Sequence, residues 1–503
     1  MEMILEGLNL FLANMWVIPV GVMVGMFAGA MPGLTPSNSL VMLLPLMIVL
    51  PPVKGLMFGT ALYAGAEMGN SFPAAILNIP GSAGASITAI EGYALSKRGF
   101  AAKALGICIT ASAIGALIGG IFSVSAAPSL AKVALKFSAV ENSIVVLFGI
   151  IVIAQISQGG LLKGLLSGAF GLLLAIVGTD PIFGQFRSTY NIVYLFDGIS
   201  TIAILVGLLG FGEVLNQLDT LRKVQVHSQP DKEAMGLKGI LSGAKEVIRR
   251  PLCCLRSGII GLIIGAVPGA GASVASLMAY TQELQFAKPA RKKLFGKGSE
   301  EGLIAADTAN NSMVGGSLIP LMTLGIPGSA TMAVLLVVMT YHGLTIGPRL
   351  FELHGEIVYA VLLSQLAASV FILIIGAMLA FFAFRLAYVS AGFILPIVTV
   401  FCMIGGFARN EYIFDMGLVV LFGLIGYIMK RNGYSVIGML LGAILGGMFE
   451  NYLLQGFRLG FNSPAIFFQR PVALILWALL ALSLVVPWWF RKRSPGKPDI
   501  EAE

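Results

Sequence analysis

Residues that build catalytic or metal sites are scarce in this sequence. Charged residues make up 11% of the 503 positions, and the chain has four cysteines and three histidines. No Cys-x-x-Cys occurs and no histidines cluster near the cysteines, so the patterns of a zinc site and of a disulfide framework are missing. We interpret the cysteines as packing residues and predict neither a cofactor nor a resident metal.

The sequence also lacks a motif for ATP binding. No Gly-x4-Gly-Lys-Ser/Thr occurs, and that loop cradles the phosphates in ATP-driven pumps. If the protein is a transporter, its energy would therefore come from an ion gradient, with sodium or protons as the coupling ion, or from a separate motor subunit. The basic clusters flank hydrophobic segments and have no interleaved aromatic residues, which argues against nucleic acid as a partner.

Apolar residues, in contrast, are abundant. They make up 57% of the chain and give a mean hydropathy of +0.91, far from the balance of a soluble domain. The N-terminus lacks the basic flank of a signal peptide, so we expect it to remain on the mature protein. With interrupted segments included, we predict an all-α polytopic membrane protein with about ten to twelve transmembrane segments. The uninterrupted apolar stretches are 101–125, 143–178, 199–215, 357–387, 391–407, 413–430, 434–449 and 471–490.

Two motifs rich in glycine and proline occur once in each half of the chain. The pattern Gly-x3-Gly-Ala-x-Pro-Gly spans 25–33 and 261–269, an offset of 236. The pattern Gly-x3-Pro-x5-Ile-Pro-Gly-Ser-Ala spans 69–83 and 316–330, an offset of 247. Interrupted apolar segments at matching places in two halves indicate the binding site of a secondary transporter.

The distribution of basic residues predicts the topology. Lysine and arginine cluster within 222–256, 288–297 and 491–497, and the positive-inside rule places all three clusters in the cytoplasm. Residues 257–284 between the first two clusters contain a Pro-Gly break, so we predict a re-entrant hairpin that returns to the cytoplasmic side. The equivalent segment 15–51 has no lysine or arginine, so its hairpin should enter from the opposite face.

Two similar halves of opposite orientation form an inverted repeat. We therefore predict a first membrane repeat over 1–215, a cytoplasmic linker over 216–256, a second membrane repeat over 257–490 and a cytoplasmic tail over 491–503. Movement of the site-bearing part against a scaffold would alternate access, as in an elevator-like secondary transporter.

The four breaks are the predicted binding site. Non-helical backbone at membrane depth is tolerated only where it is buried in protein or lines a watery cavity. Helix N-termini after each Pro-Gly would direct amides at a carboxylate, and exposed carbonyls would suit sodium. The substrate-binding candidates are small and polar residues at the breaks: Thr35, Ser37, Asn38, Asn70, Ser71, Pro80, Gly81, Ser82, Gly269, Ser273, Asn310, Asn311, Pro327, Gly328 and Ser329.

Two acidic residues within apolar segments are candidates for ion coupling, because a charge at membrane depth is costly and usually functional. Glu67 precedes the first serine-rich break, and Asp307 precedes Asn310 in the second half. Thr88 and Thr331 are further candidates for the same role.

Other interpretations stay open at this stage. The glycine pairs also suit close helix packing without a ligand. An intramembrane hydrolase would use Ser82 or Ser329, but a nucleophile needs a base within reach, and only His342 shares a segment with either serine. We therefore predict that the protein is not an enzyme. A passive channel or a membrane sensor for carboxylates remains an alternative, as does a carboxylate carrier that works alone.

The same motifs resemble the large membrane subunit of the tripartite tricarboxylate transporters, over at least residues 25 to 350. The segments that carry the resemblance are 32–45, 77–82, 88–93, 301–311, 324–330 and 342–344. The resemblance implies a permease of the bacterial inner membrane that works with a small membrane subunit and a periplasmic solute-binding protein. It further implies uptake of di- or tricarboxylates, driven by a cation gradient.

The chain departs from that family pattern at three candidate residues. Asn70 stands where glycine is usual, Thr35 replaces a common glycine, and Asp307 occupies a position that is more often glutamate. Because Asn70 and Thr35 would line the site, the carboxylate that is carried stays open, as do the coupling ion and the oligomeric state.

Overall fold

A computed structural model of the protein describes residues 2–31, 33–155, 160–180, 184–221, 236–382 and 391–493. Three of the sequence predictions therefore fall partly outside the described residues. These are the first Pro-Gly break at Pro32, the part of the linker over 222–235, and the tail from residue 494 onward.

The first part of the chain is helical apart from one short hairpin. Strands β1 (Gly178–Thr179) and β2 (Phe186–Arg187) pair antiparallel. Short 3₁₀ or π turns cover Ala83–Ala85, Ser96–Phe100, Val193–Leu195 and Val206–Phe211. The α-helices are α1 (Glu2–Asn14), α2 (Val17–Gly29), α3 (Pro36–Met42), α4 (Leu44–Val49), α5 (Pro52–Gly69), α6 (Ser71–Leu77), α7 (Ser86–Leu95), α8 (Ala101–Ala134), α9 (Ala139–Gln155), α10 (Leu161–Ala175), α11 (Thr201–Leu205) and α12 (Gly212–Leu221).

The rest of the described chain is helical too, so the prediction of an all-α protein is confirmed. Its helices are α13 (Leu237–Ile248), α14 (Pro251–Ala266), α15 (Gly271–Phe286), α16 (Pro289–Lys292), α17 (Glu300–Leu324), α18 (Ala330–Tyr341), α19 (Leu350–Leu353), α20 (Gly355–Ala380), α21 (Ala391–Phe407), α22 (Ile413–Arg431), α23 (Val436–Leu459), α24 (Ile466–Gln469) and α25 (Pro471–Arg493).

Five helical segments of the described chain are long and apolar enough to cross a membrane, or six if α1 and α2, bent by 63°, form one span. This number is below the predicted ten to twelve; further apolar helices of 10–17 residues include Pro251–Ala266 and Ala330–Tyr341, which lie next to the breaks of the second half. A multi-pass membrane protein is supported, while the higher count stays a prediction. The five segments are Ala83–Ala134, Thr201–Asp219, Gly355–Ala380, Ile413–Arg431 and Val436–Leu459.

The chain divides into two compact units that do not follow the two halves of the sequence. Unit 1 contains Met1–Leu135 and Ile199–Asn432, and unit 2 contains Lys136–Gly198 and Gly433–Glu503. Each unit therefore takes residues from both halves. The predicted domain boundaries, which follow the repeat, stay a prediction.

Glycines set the packing of unit 1 in the same way in both halves. A β-carbon at Gly25 would overlap the carbonyl oxygen of Leu62, and one at Gly261 would overlap that of Ala309. Gly29 lies against Ala66 just as Gly265 lies against Met313, while Gly69 and Gly316 lie against Met26 and Leu262. All three pairs keep the sequence offsets of 236 and 247. The packing of α2 on α5 thus recurs in the packing of α14 on α17.

Unit 2 contains α9, α10 and α23 to α25, together with the β-hairpin. A β-carbon at Gly442 of α23 would overlap the carbonyl of Gly168 in α10, so these two helices also approach closely through glycine. Arg187 of the hairpin forms ion pairs with Glu450 (Nη1–Oε1 2.6 Å) and Asp180 (Nη1–Oδ2 3.3 Å). Arg470 pairs with Glu141 (Nε–Oε1 3.1 Å).

Candidate functional site

The second and fourth breaks share one backbone geometry. The C-cap residue of α6, Asn78, adopts the left-handed conformation (φ 59°), and so does Gly325, the C-cap residue of α17 (φ 72°). The next amide bonds back in both copies, from Ile79 N to Pro73 O (3.4 Å) and from Ile326 N to Pro320 O (3.3 Å). Asparagine and glycine tolerate a positive φ, which explains how both sequences close the same turn.

An extended serine follows each of these turns and starts the next helical segment. Ser82 precedes the 3₁₀ turn that leads into α7, and Ser329 is the N-cap of α18. The side chain of Ser329 accepts a hydrogen bond from Met332 N (3.2 Å), whereas the side chain of Ser82 accepts one from Asn70 Nδ2 (3.3 Å). The two serines therefore occupy equivalent backbone positions but have different partners.

Contacts bring the breaks of the two halves together within unit 1. Ser37 Oγ and Thr331 Oγ1 are 2.8 Å apart, which joins the first break to the fourth. The third break meets the fourth where Gly269 N donates to Gly328 O (2.9 Å). A β-carbon at Gly84 would lie 2.7 Å from both Ala272 Cβ and Asn310 Oδ1, so the second break lies beside the third.

Asp307 lies about two turns into α17 and is 1% exposed. Its Oδ1 accepts hydrogen bonds from Ser71 Oγ (2.6 Å) and Thr88 Oγ1 (3.2 Å), while its Oδ2 has no hydrogen-bond partner. None of the ion pairs among the described residues involves Asp307 or Glu67, which is also buried. Three candidates from the two halves thus form one hydrogen-bonded group.

The two asparagines one turn further along α17 are held by the first half of the chain. Asn310 Nδ2 donates to the carbonyl of Glu67 (3.4 Å), and Asn311 Nδ2 donates to the carbonyl of Ala64 (3.0 Å). Each amide nitrogen therefore has a partner within the protein. Their Oδ1 atoms are buried and have no partner.

Seven buried side-chain atoms without a partner lie on α5, Asn70 and α17; two are the hydroxyls of Thr60 and Thr308, and five are carboxylate or amide oxygens. A buried polar atom without a partner costs roughly 1–3 kcal/mol, so a concentration of such atoms calls for a ligand that satisfies them. Carboxylate and amide oxygens are the usual ligands of hard cations. The arrangement is therefore suited to binding a cation. The five carboxylate or amide oxygens are Glu67 Oε2, Asn70 Oδ1, Asp307 Oδ2, Asn310 Oδ1 and Asn311 Oδ1.

The remaining candidates differ in how open their surroundings are. Pro80 is exposed and Ser82 is half-buried, whereas Pro327 and Ser329 are buried. The first copy of the turn is thus exposed at Pro80 and half-buried at Ser82. The second copy is enclosed by protein.

Some candidates have a local structural role or none that the contacts reveal. Thr35 caps α3 by accepting a hydrogen bond from Asn38 N (3.2 Å). Asn38 is buried, and Ser273 is half-buried. The contacts described here do not connect these three side chains to Asp307.

Two residues that the sequence interpretation missed contact the breaks. The hydroxyl of Tyr63 is 3.1 Å from Ser329 Oγ, and the ring is fully buried in α5. Gln217 of α12 donates its side-chain amide to the carbonyl of Gly33. The sequence could have pointed to Tyr63, because the offset of 247 aligns it with the candidate Asn310. No comparable pattern marks Gln217.

Comparisons with known proteins agree with the geometry. Residues 15–441 match the family described as "Tripartite tricarboxylate transporter TctA family". A protein of Agrobacterium vitis, named as an uncharacterized 52.8 kDa protein in the TAR-I ttuC' 3'region, is 31% identical over 472 residues. That alignment covers 93% of this chain and 91% of the relative.

A second Agrobacterium vitis protein, an uncharacterized protein in the TAR-II ttuC' 3'region, is 29% identical over 226 residues. The match covers 45% of this chain and 91% of that protein. No solved structure matches the chain.

Proposed function

The chain belongs to the tripartite tricarboxylate transporter TctA family, and from this membership we propose that it is the large permease subunit of a tripartite uptake system. A periplasmic binding protein delivers di- or tricarboxylates, and a small membrane subunit completes the complex in the bacterial inner membrane. An ion gradient drives the uptake. The supporting observation is that broken helices from both halves meet around buried polar groups in unit 1.

The substrate is proposed to bind where amides and hydroxyls remain open. The exposed Pro80 and the half-buried Ser82 flank the buried Gly81 in this turn of the first half. The amides at the start of the following helical segment carry a partial positive charge, which favours a carboxylate. Gly84, two residues after Ser82, lies beside Asn310. A substrate bound at this turn could therefore also contact the second half of the chain.

The coupling ion is proposed to bind on the other side of the same polar region. Asp307 supplies a carboxylate, Ser71 and Thr88 orient it, and Asn310 and Asn311 offer amide oxygens whose amide nitrogens are already used. Amide oxygens accept a metal cation but are not proton carriers. This donor set favours sodium over a proton.

Transport is proposed to alternate access by an elevator-like movement of the site between oppositely oriented repeats. The matched glycine contacts of α2 on α5 and of α14 on α17 support a structural repeat. The opposite orientation of the two copies rests on the positive-inside pattern of the sequence. Exposure of one turn and enclosure of the other are what a site open to a single side would present.

Uptake into sealed vesicles tests this proposal. The full chain is co-reconstituted with its small membrane subunit and supplied with the binding protein and radiolabelled di- and tricarboxylates. We expect accumulation above the outside concentration when sodium is outside, and loss of accumulation when choline replaces sodium at constant pH. Equilibration without accumulation would instead identify a channel, and sodium-independent accumulation that a pH gradient drives would identify proton coupling.

The substrate site is tested in the same vesicles. Replacing Ser82 by tryptophan should fill the open turn and abolish uptake, while a tryptophan at the exposed Ile90 of α7 should leave it intact. Both variants must be recovered in the membrane in equal amounts. Undiminished uptake by the Ser82→Trp protein would refute the assignment of the turn.

A further inference from the structure

A polar cavity in unit 1 has none of the residues of the four breaks in its lining. Its volume is about 240 Å³, below the roughly 300–1,000 Å³ of pockets for drug-sized ligands. The positive-inside pattern places it on the cytoplasmic side, because its lining comes from the basic segments around 98–103, 250 and 291–301. We call it the basic cleft; its charged lining residues are Arg98, Lys103, Arg250, Arg291, Glu300 and Glu301.

Positive charge exceeds negative charge in the basic cleft, with four cations against two carboxylates. Glu300 pairs with Lys103 and with Arg250 Nη2 (3.1 Å), and Glu301 pairs with Arg291 and with Arg250 Nε (3.5 Å). Both carboxylates are therefore already engaged by the cations around them. Two positive charges remain uncompensated within the lining.

A third carboxylate stands behind the lining and is also engaged. Glu246 accepts a charged hydrogen bond from Arg250 Nη1 (2.5 Å) and lies 3.9 Å from Lys103 Nζ. Partial burial alone would raise the pKa of Glu246, but Arg250, Lys103 and Arg249 together lower it. Glu246 is therefore ionised at neutral pH, and its charge holds Arg250 in place rather than filling the cleft.

Arg98 is the lining cation that has no carboxylate partner among the described ion pairs. Its guanidinium lies 5.8 Å from the centre of the Phe100 ring, and the side chain is exposed. Gly298, at φ +98°, faces it without a side chain, so a β-carbon there would lie 3.4 Å from Arg98 Nη1. The guanidinium therefore has unused donors on the open side.

The wall opposite Arg98 is fixed by a buried carboxylate. Glu91 is fully buried and accepts hydrogen bonds from the backbone amides of Gly298 (2.8 Å) and Ser299 (2.6 Å). The hydroxyl of Tyr280 donates to the same carboxylate (2.6 Å). These bonds satisfy Glu91 without a cation and hold the loop before α17 in one conformation. The basic cleft is thus preformed.

The edge of the basic cleft is apolar. Phe100 is 48% exposed and Leu294 is 45% exposed, and both line the cavity. A singly charged phosphodiester matches the one arginine that lacks a carboxylate partner, and an attached hydrocarbon part matches the two exposed apolar side chains. Basic pockets on the cytoplasmic side of membrane proteins bind the headgroups of acidic lipids.

We propose that the basic cleft binds the phosphate of an acidic phospholipid from the cytoplasmic leaflet. Arg98 donates to the phosphate oxygens, while Lys103, Arg250 and Arg291 stay paired with Glu246, Glu300 and Glu301. Phe100 and Leu294 contact the glycerol and the first part of the acyl chains. The lipid is a structural or regulatory partner that binds apart from the transported carboxylate.

Native mass spectrometry of the delipidated full-length protein tests this inference. Phosphatidylglycerol is titrated, with phosphatidylcholine as the neutral lipid. We expect Arg98→Gln to weaken phosphatidylglycerol binding by about tenfold, as befits the loss of a charged hydrogen-bond donor. The matched control is Lys293→Gln. This change removes an exposed positive charge next to Leu294, but Lys293 does not line the cleft, so binding should be unchanged.

Two further arms separate the lipid from a free oxyanion. Leu294→Ser should weaken phosphatidylglycerol binding, because it removes the apolar edge, and inorganic phosphate and citrate should not compete at equal concentration. Equal binding by the Arg98→Gln and Lys293→Gln proteins, or equal affinity for the neutral lipid, would overturn the proposal. Competition by phosphate or citrate, with no effect of Leu294→Ser, would reassign the cleft to a soluble anion.

Discussion

The turns at 78–83 and 325–330 are copies of one backbone in two different environments. Both begin with a left-handed cap and close with the same hydrogen bond onto a proline carbonyl. Yet Pro80 is exposed while Pro327 is buried. Since the local geometry is equal, the difference arises from what packs around each turn, and in the second copy this includes the buried ring of Tyr63.

The two copies thus share a backbone geometry while their polar side chains differ. With the offset of 247, Asp307 aligns with Thr60, and Asn311 aligns with Ala64. The Asp307 carboxylate and the Asn311 amide therefore have no counterpart at the equivalent positions of the first copy, which contributes the oxygens of Glu67 and Asn70 instead. Under the proposed function, the enclosed copy serves the coupling ion and the open copy serves the substrate.

The largest effect should come from the charge at Asp307. Replacing it by asparagine keeps the shape and an acceptor for Ser71 and Thr88 but removes the negative charge that would hold the ion. We expect sodium-driven uptake to fall by about tenfold or more, the scale on which metal sites respond to altered ligand surroundings. The matched change is Thr60→Val at the equivalent position of the first copy, where uptake should remain.

Equal losses of uptake in the Asp307→Asn and Thr60→Val proteins would contradict this prediction, because they would show that the two copies contribute equally to ion binding. A sodium titration sharpens the result. The concentration of sodium that gives half-maximal uptake should rise in the Asp307→Asn protein, whereas a purely structural defect would lower the maximal rate at an unchanged sodium dependence.

The next effect concerns stability. A β-carbon at Gly328 would lie 2.5 Å from the backbone oxygen of Gly265, and backbone cannot move aside easily. At Gly81 the obstacle is the end of the Asn70 side chain, which can rotate away. We expect Gly328→Ala to cost about 1–3 kcal/mol as overpacking does, and Gly81→Ala to cost less. Thermal unfolding of the purified variants in detergent measures the difference, and an equal or reversed order would contradict it.

Accessibility offers a direct reading of the open and enclosed copies. All four native cysteines are buried, so single cysteines can be introduced into the natural sequence. Pro80→Cys should react with a membrane-impermeant maleimide from one side of the membrane, while Pro327→Cys should remain unlabelled over the same time. Rapid labelling of both positions would show that the second turn is not enclosed in the membrane.

The fold class and the location of the breaks could be predicted from the sequence, whereas the side-chain contacts between the two halves could not. Matching interruptions predicted that the two halves would supply equivalent turns, and composition predicted a helical membrane protein, because both depend on local patterns that survive in a single sequence. The grouping of Asp307 with Ser71 and Thr88 joins residues more than 200 positions apart. Which polar residues of two halves face one another depends on how helices pack, and no local pattern encodes that.

The number of membrane spans was also difficult to predict from the sequence. Hydropathy alone treats an apolar stretch as one crossing, whereas proline and glycine divide α3 from α4 and α5 from α6 into shorter helices. Thr35 is a related case, since its position at a break predicted a contact with the substrate. In the structure its hydroxyl caps α3, a role that the short spacing to Asn38 also allows.

The smallest effect should come from Tyr63, the side chain that encloses the second turn. Tyr63→Phe keeps the ring and removes one hydrogen bond to Ser329, worth about 1 kcal/mol, so substrate affinity in uptake should change by about fivefold at most. Tyr359→Phe, in α20, is the matched control. Ser329→Ala should lower the substrate affinity further than Tyr63→Phe does, because the Ser329 hydroxyl also caps α18 by accepting a hydrogen bond from Met332 N. If enclosure acts through this contact, the double variant will be no worse than Ser329→Ala alone; additive losses would mean that Tyr63 and Ser329 act independently.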